Sequence, residues 1–158
     1  MTIVKSRFLG ILSAALLLLV SLPAASWAED FGTKEQAKAM VEHAAAFYKA
    51  NGKEKALAEF SNPKGQFIDR DLYLVTYAPD GIRLSHPYNA KLVGKSALDA
   101  VDFDGKPYGQ EIIQTANTKG SGWVDYKFTD PTTKKLSDKT LYVLKVDDII
   151  IGCGVYRH

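Results

Sequence analysis

From residue 33 to residue 50, apolar side chains return every three or four positions. Ala37, Met40, Val41, Ala44 and Tyr48 alternate with Lys34, Glu35, Lys38, Glu42 and Lys49. This spacing predicts an amphipathic helix. Thr33 followed by Gln36 is a capping-box start, and Asn51-Gly52 is a C-terminal stop. A shorter helix is expected over residues 53–60, closed by Asn62-Pro63.

The pattern then changes from a period near 3.6 to runs of β-branched, aromatic and aliphatic residues. Residues 72–77 predict a strand, the turn Ala78-Pro79-Asp80-Gly81 follows, and residues 82–86 return as its hairpin partner. Within that partner Ile82, Leu84 and His86 share one parity and hence one face. Residues 88–106 carry Asn, Gly and Asp punctuation and predict a long irregular connection over a pocket mouth, with one short helical possibility at residues 96–101. A helix is expected over residues 107–118 with Ile112, Ile113 and Ala116 inward. Residues 123–129, 139–146 and 149–156 predict three strands. The last two are joined by the short turn Asp147-Asp148. The order α-α-β-β-α-β-β-β predicts an α+β fold, an antiparallel sheet with helices packed on its faces.

The first 28 residues obey a different rule. Lys5 and Arg7 precede an apolar run over residues 8–22, followed by Pro23 and the small-x-small group Ser26-Trp27-Ala28. That order is the signature of a secretory signal peptide cleaved after Ala28. The run is shorter than the roughly 20 residues of a membrane-spanning helix. Residues 1–28 are therefore expected to be removed, leaving residues 29–158 as one free periplasmic domain with no membrane span of its own.

Charge and cysteine content narrow the function. Of 20 basic residues, two lie in the leader, so the remaining 18 balance the 18 acidic ones. No nucleic-acid partner is indicated. Cys153 is the single cysteine, so no internal disulfide is expected. It shares parity with Ile149, Ile151 and Val155 and is expected to be an inert core thiol. The three histidines have no companions at metal-ligand spacing, so no metal is expected. Asp102-Phe103-Asp104-Gly105 lacks the later oxygen ligands of a calcium loop, with Lys106 and Ile113 where they should stand, and predicts a turn. With no nucleophile-base pair or paired carboxylates visible, no catalytic residues are assigned and a binding protein is favoured over an enzyme.

Several local words stand in one order along the chain. They are Asp80-Gly81 before Ser85-His86-Pro87, then Leu92-Val93-Gly94-Lys95, then Asp102-Phe103-Asp104-Gly105-Lys106. After these come Gly120-Ser121-Gly122-Trp123-Val124-Asp125-Tyr126, Lys139-Thr140-Leu141-Tyr142-Val143, and Ile151-Gly152-Cys153-Gly154-Val155-Tyr156. In that order they resemble the single-Cache type of extracytoplasmic sensor domain, with its PAS-like five-stranded antiparallel sheet, N-terminal helix and connecting helices. The resemblance covers about residues 33–156. It departs from the family at the aliphatic run 149–151, at Cys153 where Thr is usual, and at Phe128 where Trp is frequent.

The resemblance implies a small-molecule ligand, commonly an organic acid or amino acid, held against the concave face of the sheet and no cofactor. It also implies a membrane receptor or histidine kinase as partner. An accessory protein or enzyme using the same pocket is the alternative. The expected ligand-binding residues are Tyr73, His86, Tyr108, Trp123, Tyr126, Lys139 and Tyr142. His86 reads equally as a satisfied core histidine or as a donor to a carboxylate. Lys139, matched to a strand-start lysine of the family, is expected to place a point charge at the pocket mouth. Trp123 and Tyr126 have opposite parity, so only one of them can face the pocket, and Tyr126 matches the family's tyrosine. Gly152 and Gly154 leave room either for close packing or for a ligand.

Overall fold

A computed structural model describes residues 31–157; the expected signal peptide lies outside the described residues. Two helices come first, α1 (Lys34–Asn51) and α2 (Lys53–Phe60). Strands β1 (Ile68–Asp69), β2 (Leu72–Tyr77) and β3 (Arg83–Ser85) follow, then a 3-10 turn at Ala90–Leu92 and helix α3 (Tyr108–Lys119). Strands β4 (Ser121–Thr129), β5 (Leu136–Val146) and β6 (Ile149–Tyr156) complete the chain. Thr33 caps α1 in a full capping box with Gln36, and Gly52 ends it with φ 81°, a left-handed conformation suited to glycine.

The sheet is antiparallel with order β1-β2-β6-β5-β4, and β3 pairs with β2 off that path. Six strands are present where the hydrophobic pattern predicts five. The extra one, β1, is only two residues long and exists through its pairing with Leu72 and Tyr73. Pairing likewise lengthens β5 backwards to Leu136, because Lys127, Phe128 and Thr129 supply ladder partners for residues whose own pattern is polar. The short helical possibility at residues 96–101 is not realised, and the connection is irregular as expected. Ser96 bridges to Ile82, and the Ala97 carbonyl packs so close to Gly109 that a Cβ there would sit 1.7 Å from it.

The sheet divides two cores by strand parity. On one face Ala37, Val41, Ala44 and Phe60 of α1 and α2 pack on Leu74, Ile149, Ile151 and Cys153. On the other, Ile112 and Ala116 of α3 pack on Val75, Val124, Leu141, Val143 and Ile150. Residues 88–106 continue this second layer beyond α3. Asp102 holds their final turn, its carboxylate accepting from the amides of Asp104 and Lys106 and from Lys127 on the open edge of β4. That contact, with Lys106 donating to the Asp125 carbonyl, caps part of an edge strand otherwise free to pair with another chain.

Candidate functional site

The three-strand meander fixes the site by register. The turn sets Val146 opposite Ile149, and the ladder then carries Lys139 opposite Tyr156 on one side and Tyr126 on the other. The row Tyr126-Lys139-Tyr156 lies on the α3 face. The row Trp123-Tyr142-Cys153, three positions away along each strand, has opposite parity.

The structure therefore separates the seven expected site residues. Tyr73, His86, Tyr108, Tyr126 and Lys139 line one narrow cavity, together with Tyr77, Arg83 and Phe128. Trp123 and Tyr142 face α1 instead. Their rings meet at 5.1 Å, with the ammonium groups of Lys34 and Lys38 over them. Both are corrections to the expected aromatic wall.

Lys139 is corrected in a different way. It stands inside β5 rather than at its start, and it is 2% exposed. Its stem lies over Gly154, where a Cβ would come 2.3 Å from the lysine Cε, so the space left by that glycine is taken by the lysine. The Nζ donates to the hydroxyls of Tyr73 at 2.8 Å and Tyr156 at 3.0 Å. It also sits over the Tyr73, Tyr156 and Phe128 rings at 4.3, 4.6 and 5.4 Å. A ring cage stabilises a cation but does not replace water fully. Burial accordingly pushes the Lys139 pKa down to about 7.

Arg83 escaped the sequence reading. Between Ile82 and Leu84 it reads as the solvent side of a hairpin, but residues 94–96 pack over that side and bury it, and β3 ends before His86. Leu84 packs toward the α1 and α2 core, whereas Arg83 and His86 both line the cavity. His86 is thus not on the face of Leu84. The Arg83 guanidinium donates to the Ser96 carbonyl at 3.2 Å and lies 3.5 Å from the Tyr108 hydroxyl. The Tyr108 ring stacks flat on Tyr126 with centres 4.3 Å apart. Tyr156 was also missed, although the turn length alone places it opposite Lys139.

His86 is preset as a donor. Its Nδ1 accepts from the amides of Tyr88 at 3.3 Å and Asn89 at 3.1 Å, which leaves the proton on Nε2. Burial first, then the charges of Lys139 and Arg83, push its pKa down to about 4, so the ring is neutral at physiological pH. Burial raises the pKa values of Tyr73 and Tyr126 well above the ordinary phenol range, so their hydroxyls stay protonated. Two cations, one oriented imidazole N–H and several phenols thus converge on one space. Among the described residues neither Lys139 nor Arg83 forms an ion pair.

The cavity lies under the whole fold that a family profile described as Single Cache domain 2 matches, over residues 32–158. The chain belongs to that family. Solved structures agree with this Cache assignment. A periplasmic sensor domain of a chemotaxis protein is 25% identical, with TM-score 0.61 over 78% of this chain and 90% of that one. A methyl-accepting chemotaxis protein from Vibrio parahaemolyticus has TM-score 0.67 at 20% identity, over 78% of this chain and 87% of that one. A Cache chemosensory domain solved for carboxylic acid recognition has TM-score 0.62 at 24% identity, over 78% and 88% of the two chains. Among curated proteins, the sensor histidine kinase MctS of Rhizobium johnstonii is 35% identical over 89 residues. That match takes in 55% of this Cache chain and 19% of the kinase. These relatives are sensor domains of receptors and kinases.

Cys153, on the α1 face, has its thiol 3.7 Å from the Met40 sulfur, and burial pushes its pKa up to about 12. Thiol reagent is expected to label it only after denaturation. Fast stoichiometric labelling of the native Cache domain contradicts that placement.

Proposed function

We propose that this Cache domain is an exported periplasmic binding component. It captures a small carboxylate, from an organic acid or an amino acid, and presents the liganded state to a membrane receptor or histidine kinase. Export rests on the charge, apolar and small-residue order of residues 1–28. Among the described residues no helix is long and apolar enough to cross a membrane. The relatives named above are sensors of the receptor and kinase kind.

One observation carries the carboxylate reading. Lys139 and Arg83 are 2% and 6% exposed in a single cavity, and no carboxylate of the described residues lies within ion-pair distance of either. Burying a cation without its counter-charge is expensive, and an incoming anion would relieve that expense. The fork of Arg83 suits a planar carboxylate, the His86 Nε2–H supplies a directed donor, and Lys139 supplies a point charge.

A thermal-shift screen of organic acids, amino acids, amines and neutral sugars tests this. Carboxylates are expected to raise the melting temperature, since a ligand at a hundred times its Kd stabilises the native state by about 2.7 kcal/mol. Hits confined to amines or sugars contradict the proposal.

A further inference from the structure

The cavity around Lys139 has about 10 Å³ of free space. A single water needs roughly 10–15 Å³, so a carboxylate group, which is larger than a water, reaches Lys139 only if the ammonium or a neighbouring ring shifts. The rest of any acid must lie elsewhere. Two larger hollows adjoin the cavity. One, of about 280 Å³, shares Tyr126 and Lys139 with it, but its four aspartates are matched by Lys106, Lys127, Lys139 and Arg157, so it offers no net positive charge, and no ring other than Tyr126 lines it. The other, of about 260 Å³, shares Tyr73, His86 and Phe128 and adds Tyr88, Pro131 and Lys134. Its cation at the rim attracts an anion.

The walls of this second hollow are mainly rings. Tyr88 meets Tyr73 edge-on, with centres 5.1 Å apart and planes at 80°. It is 42% exposed, and the backbone that carries it is anchored, because its own amide and that of Asn89 donate to His86 Nδ1. The same histidine that offers Nε2–H to the inner cavity therefore fixes the main chain from which the outer ring projects. An apolar cavity of about 150 Å³ accepts a benzene molecule, so a hollow of this size takes a six-membered ring with room for a substituent.

We infer that the preferred ligand is a carboxylate bearing a planar aromatic ring, the carboxylate directed to Arg83, His86 and Lys139 and the ring held in the outer hollow between Tyr88, Tyr73 and Phe128. The inference rests on the carboxylate reading above. Tyr88 then decides how strongly an aryl acid is preferred over a small one.

Calorimetric titration of the purified protein with acetate and with phenylacetate tests it. Phenylacetate is expected to bind more tightly by about tenfold to a hundredfold, the yield of burying one ring. Tyr88→Ala is expected to reduce that ratio to about threefold or less, and Tyr88→Phe to keep it, because the ring rather than the hydroxyl forms the wall. Equal affinities for the two acids in the unaltered protein, or a ratio that survives Tyr88→Ala, overturn the inference while leaving the carboxylate reading standing. Binding of neither acid overturns the inference, and the carboxylate reading falls with it where no acid of the thermal-shift screen binds either.

Discussion

Replacing Lys139 with methionine is expected to make the ligand-free protein more stable and to weaken its binding of a carboxylate. The two side chains have similar volume, so the space over Gly154 stays filled. The hydroxyls of Tyr73 and Tyr156 already bond to each other at 2.9 Å, and that of Tyr156 also reaches the Thr129 carbonyl at 3.3 Å, so no buried polar group is orphaned when the ammonium is gone. What disappears is a cation held out of water by rings and phenols, with Asp130 and Asp71 near enough to favour its charge but not to pair with it. Exchanging buried charge for a hydrophobic side chain of like volume gains roughly 1–4 kcal/mol in favourable cases. For a domain of this size that is a rise in Tm on the order of 5–10 °C. Binding should move the other way, because a charge-assisted hydrogen bond contributes roughly 1.5–3 kcal/mol, or about tenfold to more than a hundredfold in affinity. Thermal melts and calorimetry on the same two proteins read both effects. Lower stability in Lys139→Met would mean that the lysine belongs to the structural core and not to a site.

The second large effect is on pH. The ligand-free Lys139 has a pKa of about 7, lowered by burial from the 10.5 of a free lysine. The group bears a proton in the unfolded chain up to that higher value, whereas in the native state it loses the proton near neutrality. Its destabilising contribution is therefore fully present below about pH 7 and fades as the pH rises toward the free-lysine value. The advantage of Lys139→Met should shrink over the same window. Binding has the opposite dependence, because an anion selects the ammonium form. Affinity should be level below about pH 7 and then fall roughly tenfold per unit above it, until the pKa of the liganded state is reached. The other groups facing Lys139 do not titrate there. His86 has its pKa at about 4, and Tyr73, Tyr126 and Tyr156 are all raised. A pH-independent affinity between about pH 6 and about pH 9 would contradict a role for the lysine charge.

Much of the fold was legible because its elements obey their periods over long stretches. The capped helix α1, the hairpin turn at Gly81 and the Asp147-Asp148 turn each announce themselves locally. Elements made by pairing were not. β1 and the first residues of β5 have no hydrophobic pattern of their own, and only a neighbouring ladder makes them strands. The site divides in the same way. Tyr126 and Lys139 follow from parity and resemblance, and Tyr156 could have followed from the turn length. Arg83 could not, since it alternates with Leu84 as a strand residue should and only the layer formed by α3 and residues 88–106 turns its face into an interior one. Trp123 and Tyr142 illustrate the converse. Their aromatic character suggested a pocket wall, but strand parity sets them under Lys34 and Lys38 on the far face. The depth of Lys139 was invisible for a further reason. A lysine after a polar loop ordinarily lies in water, and only Gly154 on the adjacent strand leaves space for it to lie inward.

The central claim is that negative charge, in the form of a carboxylate, is what this cavity recognises. Calorimetric titration of the unaltered protein with paired ligands of one shape tests it most directly: acetate against acetamide, propionate against propionamide, benzoate against benzamide, and phenylacetate against phenylacetamide. At least one acid is expected to bind, its amide to bind about tenfold to a hundredfold more weakly or not at all, and that difference to vanish in Lys139→Met. An amide that binds as tightly as its acid, or an acid whose affinity is unchanged in Lys139→Met, would contradict the account.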